Sequence, residues 1–312
     1  MILTVTLNTS IDKAYQLDGA LEAGTVMRVA RCSNSAGGKG LNASRAVASC
    51  GATVLATGFV GGHNGSLLLD LLGRDGIPQR FVRVGSETRS CINVLEGQGR
   101  STEFLEPGAS VTGEEFRQLV MLVREEAGRA GVVTMSGSVP AGLPKTAWAE
   151  LVSTVRAEGV PVILDSSGAS LERAVRAATK PTVIKPNVDE ISQLVGHRIA
   201  SIPEVVDAAR RLHGEGICDV IVSLGGDGAV LVTDEGAFRG SSPSITVLNP
   251  VGSGDTLVGA YAVSMERGLP APERLRYAMS RATANCLSPE TGRFDADTAD
   301  DLLARTMVEP VR

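Results

Sequence analysis

The stretch GVVTMSGSVPAGLPKTAWAELVSTVRAEGVPVILDSSG, residues 131–168, decides the fold by the order of its elements. GVVTMSGS is an apolar run closing on small residues, as a strand buried on both faces does. PKTAWAELVSTVRAEG follows as an amphipathic helix, with Pro at its start and Gly at its end. VPVILDSSG is then a second buried strand.

The alternation continues toward the C-terminus. ASLERAVRAAT reads as a helix, TVIKPN as a strand, VDEISQLVG as a short helix and PEVVDAARRLHGEG as a longer one. CDVIVSLGGDGAVLVT reads as two strands around a Gly-rich turn. SITVLN is strand-like, TLVGAYAVSMERG helix-like, and LLARTMVEPVR the end of a helix with a short tail. Apolar strands separated by helices predict an α/β fold whose parallel sheet is covered on both faces.

The first third differs. TVMRVARCS, RSCINVLE and STEFLE have β-type composition with no crossover helix between them, the last following a GQGR turn. GGKGLNASRAVASCG and GSLLLDLLGRDG read as helices. Strands near 12–33 and 86–108 are therefore expected to leave the main sheet and form a small β-sheet lid. Its outer face needs a cover, which points to closure over a site or to a homodimer contact through the lid. With no linker or repeat, residues 1–312 are read as one domain.

Composition narrows the function. The chain is 43% hydrophobic but 3% aromatic, so its core must be aliphatic. The net charge of −5 comes without a long basic run, which argues against nucleic acid as a partner. No apolar run nears the roughly 20 residues that span a bilayer. The N-terminus, MILTVTLNTSIDKAY, is a strand from the outset and has no signal-peptide layout. Cys32, Cys50, Cys91, Cys218 and Cys286 form no CxxC pair, so scattered buried or half-buried thiols in a reducing cytoplasm are expected. His63, His197 and His213 show no metal-ligand spacing, and His213 sits just before Gly214, at a helix C-terminus.

Four stretches carry chemistry. NPVGSGDT, from Asn249, stands where a strand passes into a helix N-terminus, a place that favours an anion. Gly252 and Gly254 let the backbone approach a ligand, and Ser253 adds a donor. Asp255 beside such an anion reads as a general base for an attacking hydroxyl, or equally as a helix cap. In SAGGKGLNASRAV, Gly37, Gly38 and Gly40 surround Lys39, which offers a charge to a phosphate or is simply an exposed Lys in a turn. Asn42 is placed to bond a sugar hydroxyl. In IKPNVDEI, Lys185, Asn187 and Glu190 lie where open α/β sheets bind ligands. Asn187 and Glu190 there orient a hydrated Mg²⁺ or merely serve the helix dipole. SLGGDGAVL, from Ser223, is a hairpin turn or a nucleotide-lining loop.

In this order the four stretches resemble the ribokinase-like, or PfkB, family of sugar kinases. AGGKGLNASRAV is similar to the family's first signature, NPVGSGDTLVGAY to its second, and KPNVDE to its NxxE motif. Within it, TLNTSIDKAY, SGSVPAGLP and ETRSCINVLEGQGRSTEFLEPG resemble the hexose-phosphate branch, which holds 1-phosphofructokinases and tagatose-6-phosphate kinases. Thr9 stands where that branch usually has Pro, and Ser253 where the wider family often has Ala.

The resemblance implies a three-layer α/β/α sandwich with a mostly parallel central sheet. It implies transfer of the ATP γ-phosphoryl group, with Mg²⁺, to a primary hydroxyl of a phosphorylated ketohexose. The alternatives are a minor-type 6-phosphofructokinase, a kinase of an unphosphorylated sugar or nucleoside, and a catalytically silent sugar-phosphate sensor. Asp255 is then the base, and the Gly252, Ser253 and Gly254 backbone the anion hole. Asp12, Asn42 and Gly38 contact the sugar, with Lys39, Arg89 and Ser138 toward the phosphate it already carries. Lys185, Asn187 and Glu190 face the ATP phosphates and Mg²⁺, with Ser223, Gly225, Gly228 and Asn285 along the nucleotide.

Overall fold

Every residue of Ile2–Thr6 is buried, as an apolar strand with neighbours on both sides and helices on both faces requires. The computed structural model describes residues 1–97, 100–108 and 110–311. The strands are β1 (Ile2–Thr6), β2 (Ser10–Gln16), β3 (Arg31–Gly37), β4 (Val54–Gly61), β5 (Val82–Val84), β6 (Arg89–Leu95) and β7 (Ser101–Leu105). They continue as β8 (Val132–Ser136), β9 (Val162–Asp165), β10 (Val183–Ile184), β11 (Asp219–Ser223), β12 (Ala229–Thr233), β13 (Gly236–Ser241) and β14 (Met307–Pro310). The helices are α1 (Lys39–Ser49), α2 (Gly62–Arg74), α3 (Gly113–Ala127), α4 (Ala147–Ala157) and α5 (Gly168–Val175). They end with α6 (Val188–Val195), α7 (Ile202–Gly214), α8 (Ser253–Glu266), α9 (Ala271–Asn285) and α10 (Ala296–Arg305).

The main sheet has ten strands in the order β14-β13-β12-β11-β10-β9-β8-β1-β4-β5. Pairings from β5 to β11 are parallel; β12, β13 and β14 add on antiparallel. The chain builds outward from β1 in both directions, to β4 on one side and to β8 on the other. A crevice opens outside the carboxyl ends of strands where the order reverses, and open α/β sheets bind ligands there.

Helices cover both faces, as expected of three layers. On one face Phe116, Trp148, Leu171, Ile191 and Val205 pack under α3 to α7. On the other Leu41, Leu68, Tyr261 and Leu275 pack under α1, α2, α8 and α9. Each fully buried aliphatic side chain contributes about 1.5–3 kcal/mol, so a core with few aromatics is sufficient. Trp148 is fully buried because its Nε1–H donates to the Gly137 carbonyl at 3.1 Å.

A separate four-stranded sheet, β3-β2-β6-β7, is the small sheet expected of the first third, with different bounds. TVMRVARCS is mostly loop: residues 17–30 carry no strand and Val26 is 92% exposed. The strands lie on either side, and β3 runs into the glycines of the first signature by pairing residue for residue with β2. Pairing, rather than composition, makes NSAG a strand. Gln98 and Gly99, the middle of the expected GQGR turn, lie outside the described residues.

Two more expectations fail near the C-terminus. SITVLN is not a strand: the Leu248 and Asn249 N–H groups both donate to the Cys286 carbonyl at the end of α9, at 2.8 and 3.1 Å. The sheet edge beside β13 is already taken by β14, so the alternating residues have no sheet to face. The presumed tail is that edge strand, ending on Pro310, where the missing N–H costs nothing. Of the five thiols none is fully buried, and Cys32 and Cys218 are exposed.

Candidate active site

The main sheet brings its carboxyl-end residues to one edge. Asn8 follows β1, Ser138 follows β8, Asp165 ends β9, Lys185 follows β10 and Ser223 ends β11. The Ser223 N–H donates to the Pro186 carbonyl at 3.0 Å, which ties Ser223 to the Lys185–Asn187 turn. The N-terminus of α8 meets this edge from the side.

Asp255 lies in the first turn of α8, with Gly252 in the left-handed region (φ 79°) as the residue before the helix. A side chain at Gly252 would strike Thr291 Cγ2 at 2.3 Å, so the tight turn requires glycine. The Asp255 carboxylate does not cap the helix. Its Oδ2 accepts from Asn42 Nδ2 of α1 at 2.8 Å. Burial pushes its pKa up to about 6, and the negative charge of Asp165 adds to that push. The Asn42 hydrogen bond and the charges of Lys39 and Lys185 oppose it. A carboxylate poised near neutral pH beside a helix N-terminus has the properties of a general base next to an anion.

Asp165 is the residue that the sequence reading passed over. It is 1% exposed, and neither carboxylate oxygen accepts a hydrogen bond among the described residues. Lys185 Nζ lies 3.3 Å from Oδ1 and Lys39 Nζ 3.8 Å from it. The signal was present: an acidic residue closing the apolar run VPVILD, at the ligand-binding edge of a parallel sheet. Lys185 also approaches the Gly252 turn, since a β-carbon on Gly254 would lie 3.5 Å from its Nζ. Lys39, its side chain 46% exposed, feels Asp165 most, and Asp165, Asp255 and Glu190 hold its pKa above the ordinary lysine value against partial desolvation.

The small sheet carries Asp12 on β2 and Arg89 on β6. Asp12 Oδ1 accepts from Ser10 Oγ at 2.6 Å, and burial raises its pKa while Arg45 and Arg89 restrain it. A β-carbon on Gly37 of β3 would fall 2.0 Å from Oδ1 of Asp12 on the neighbouring β2, so the Asp12 carboxylate lies over bare glycine backbone there. Gly38 next to it has φ 119°. Arg89 donates to the carbonyls of Glu106 at 3.0 Å and Asn8 at 3.2 Å, and its buried Nε has no partner among the described residues. Asn8 Nδ2 donates to Ser138 Oγ at 3.0 Å, which joins the β1 and β8 ends. Thr9, in place of the usual Pro, donates to the Phe59 carbonyl at 2.6 Å and so anchors the loop before Asp12.

Asn187 and Glu190 form a capping box on α6: Asn187 Oδ1 accepts from the Glu190 N–H at 2.8 Å, and Glu190 Oε2 from the Asn187 N–H at 2.9 Å. Gly225 lies in the exposed turn after Ser223, and Gly228 packs so closely that a β-carbon would meet the Gly240 carbonyl at 2.0 Å. Asn285, expected near the adenine end, ends α9. Its side chain is fully buried, donating to the Val251 carbonyl at 3.0 Å and accepting from the Gly292 N–H at 2.7 Å. It braces the Gly252 turn from behind, and both of its polar atoms are engaged by backbone.

Comparison with known proteins follows this geometry. Residues 5–299 match the profile described as pfkB family carbohydrate kinase. A tagatose-6-phosphate kinase of Staphylococcus epidermidis is 38% identical over 312 residues, covering 99% of this chain and 99% of that protein. The solved phosphofructokinase-2 of Escherichia coli superposes with a TM-score of 0.92 at 30% identity, over 97% of this chain and 98% of that one. A possible 1-phosphofructokinase from Thermotoga maritima superposes at 0.91 with 26% identity, over the whole of both chains.

Proposed function

The chain belongs to the pfkB family of carbohydrate kinases, and we propose that its acceptor is a phosphorylated ketohexose, tagatose 6-phosphate or fructose 1-phosphate. It is a phosphotransferase with an alcohol group as acceptor. The proposal places the free primary hydroxyl of the sugar phosphate against Asp255. The hydroxyl oxygen bonds to the γ-phosphorus of ATP, its proton passes to Asp255, and the bond to the bridging oxygen breaks to release ADP. The products are a sugar bisphosphate and ADP.

The observation that carries this reading is Asp255 itself: a buried carboxylate raised to about 6, flanked by two lysines at a helix N-terminus. Binding alone would not require a base there. The backbone N–H groups of Gly252, Ser253 and Gly254 would meet the phosphoryl group in transit. Lys39 and Lys185 share Asp165, so Lys39 is reassigned from the sugar's phosphate to the transferred phosphoryl group. Arg89, with Ser138 beside it, remains the candidate for the phosphate already on the sugar, and Asp12 and Asn42 for its hydroxyls. Ser223, Gly225 and Gly228 would line the nucleotide.

Mg²⁺ would supply charge neutralisation on the ATP phosphates. Among the described residues no three His, Cys, Asp or Glu side chains gather as a metal cage. The ion would be held largely by waters and phosphates. Asn187 and Glu190 are the residues that would hold those waters. Asp165, whose buried oxygens accept no hydrogen bond among the described residues, would add a further oxygen donor at the same edge.

The lid leaves Phe104 55% and Leu105 63% exposed, and a homodimer through the lid would cover them. Among the described residues no helix is long and apolar enough to cross a membrane. A cytoplasmic location is proposed, since ATP and sugar phosphates are available there. Similarity to phosphofructokinase-2 makes fructose 6-phosphate the second candidate acceptor. A coupled ADP-release assay with all three sugar phosphates tests the proposal. With unphosphorylated tagatose and fructose run beside them, preferred turnover of tagatose 6-phosphate or fructose 1-phosphate supports it, and preference for fructose 6-phosphate or for an unphosphorylated sugar overturns it.

A further inference from the structure

Arg45, on α1 one turn beyond Asn42, lies within the SAGGKGLNASRAV stretch but was given no role there. It is 4% exposed, and a buried cation must have its donors satisfied. Nη1 donates to Asn42 Oδ1 at 3.0 Å, Nε to Asp75 Oδ2 at 2.9 Å, and Nη2 to the Ala36 carbonyl. The other oxygen of Asp75 accepts from Arg293 Nη2 at 2.7 Å. With the Asn42–Asp255 bond, a continuous line runs from the partly exposed Arg293 to the buried Asp255.

The chemistry of the groups gives this line a direction. A guanidinium only donates, so the Asn42 atom facing Arg45 must be the carbonyl oxygen. The NH₂ is then what Asn42 has left to offer Asp255. Turning the amide over would set donor against donor at Arg45 and acceptor against carboxylate at Asp255. Both ends reject the wrong orientation, but only Arg45 lies outside the reaction. Arg293 also follows the segment that closes behind the site: a β-carbon on Gly292 would strike the Asn42 carbonyl at 2.5 Å.

We propose that Arg45 is a positioning residue for phosphoryl transfer. It locks the Asn42 amide with its NH₂ toward Asp255, and through Asp75 and Arg293 it ties that orientation to the segment behind the Gly252 turn. The inference rests on the reading of Asp255 as the base.

The test is the pH profile of kcat/KM, with whichever sugar phosphate the enzyme turns over, for Arg45→Met, Asp75→Asn and Asn42→Ala, and for Arg45→Met in the Asn42→Ala background. The charged groups facing Asp255 are Lys39 from α1, Asp165 from the end of β9 and Lys185 after β10, and all three are retained in every variant. Arg45→Met is expected to lower kcat about 10-fold, the effect of a misaligned hydrogen bond to a charged group. It should also move the acid limb upward by about half a pH unit. Asp75→Asn should move the limb the same way by less, and it serves alone if Arg45→Met does not fold. In the Asn42→Ala background Arg45→Met should shift nothing further. An acid limb that stays in place in both Arg45→Met and Asp75→Asn overturns the proposal, as does a full shift persisting without Asn42. If Asp255→Asn still turns over with the wild-type acid limb, the base reading fails. If it is inactive while Arg45→Met leaves the limb unmoved, only the role of Arg45 fails.

Discussion

Lys185 Nζ stands 3.3 Å from Asp165 Oδ1, and the two side chains are 7% and 1% exposed. Removing one partner of such a pair leaves a charge buried with little compensation. Lys185→Met should therefore destabilise the fold by roughly 2–4 kcal/mol, somewhat below a fully unpaired case because Lys39 remains near Asp165. Denaturant unfolding measures the loss. The same variant should move the acid limb of activity upward, since Lys185 helps keep Asp255 ionised.

With Asp255 as the proposed base, its pKa of about 6 should set the pH dependence of the reaction. A base must be ionised, so kcat/KM should be flat above pH 7 and fall with unit slope below about 6. A pH–rate series in which Mg²⁺ and ATP stay saturating reads this directly.

Stability should run the other way. The folded pKa of Asp255 is raised, so its ionisation costs the folded state wherever pH exceeds that value. Asp255→Asn should thus be more stable than wild type at pH 8, by on the order of 2 kcal/mol. The gain should shrink as pH falls through 6 and vanish below about 4, where the carboxyl is protonated in both states. Thermal unfolding at pH 4, 6 and 8 checks the sign.

Lys39 and Arg89 should separate in kinetics. Arg89→Ala should raise KM for a phosphorylated sugar at least 10-fold and barely affect its unphosphorylated analogue. Lys39→Ala should lower kcat with both acceptors, because Lys39 keeps company with Asp165 and Asp255 rather than with the lid. Equal KM effects from the two variants would return Lys39 to the sugar's phosphate.

Asn285→Leu should cost about 1–3 kcal/mol, because it strands the Val251 carbonyl and the Gly292 N–H. It should lower kcat through the Gly252 turn while leaving the ratio of rates with ATP and GTP unchanged. A changed nucleotide preference would restore the contact with adenine that the resemblance implied.

The crossover units from Gly131 to Gly214 were legible because burial on both faces imposes continuous apolar strands and amphipathic helices. The bounds of the lid were not, since β3 is a strand by pairing with β2 and its own residues Arg31–Ser35 are exposed. SITVLN misled for the converse reason, having strand composition but no free sheet edge. In the site, Asp255 and Asn42 were visible through their glycine neighbours, though the bond between them spans 213 residues. Asp165 had no such setting, and Arg45, though in the same stretch as Asn42, shows its partners Asp75 and Ala36 only in the fold. Each acts through partners brought together only by the fold.

The most direct test of the central claim compares Asp255→Asn with wild type for binding and for turnover of the sugar phosphate. Calorimetric Kd for the sugar phosphate should stay within a few-fold of wild type, while kcat falls by about 10²–10⁴ or more. A variant that binds normally and keeps near-normal kcat would contradict Asp255 as the base that takes the proton from the attacking hydroxyl.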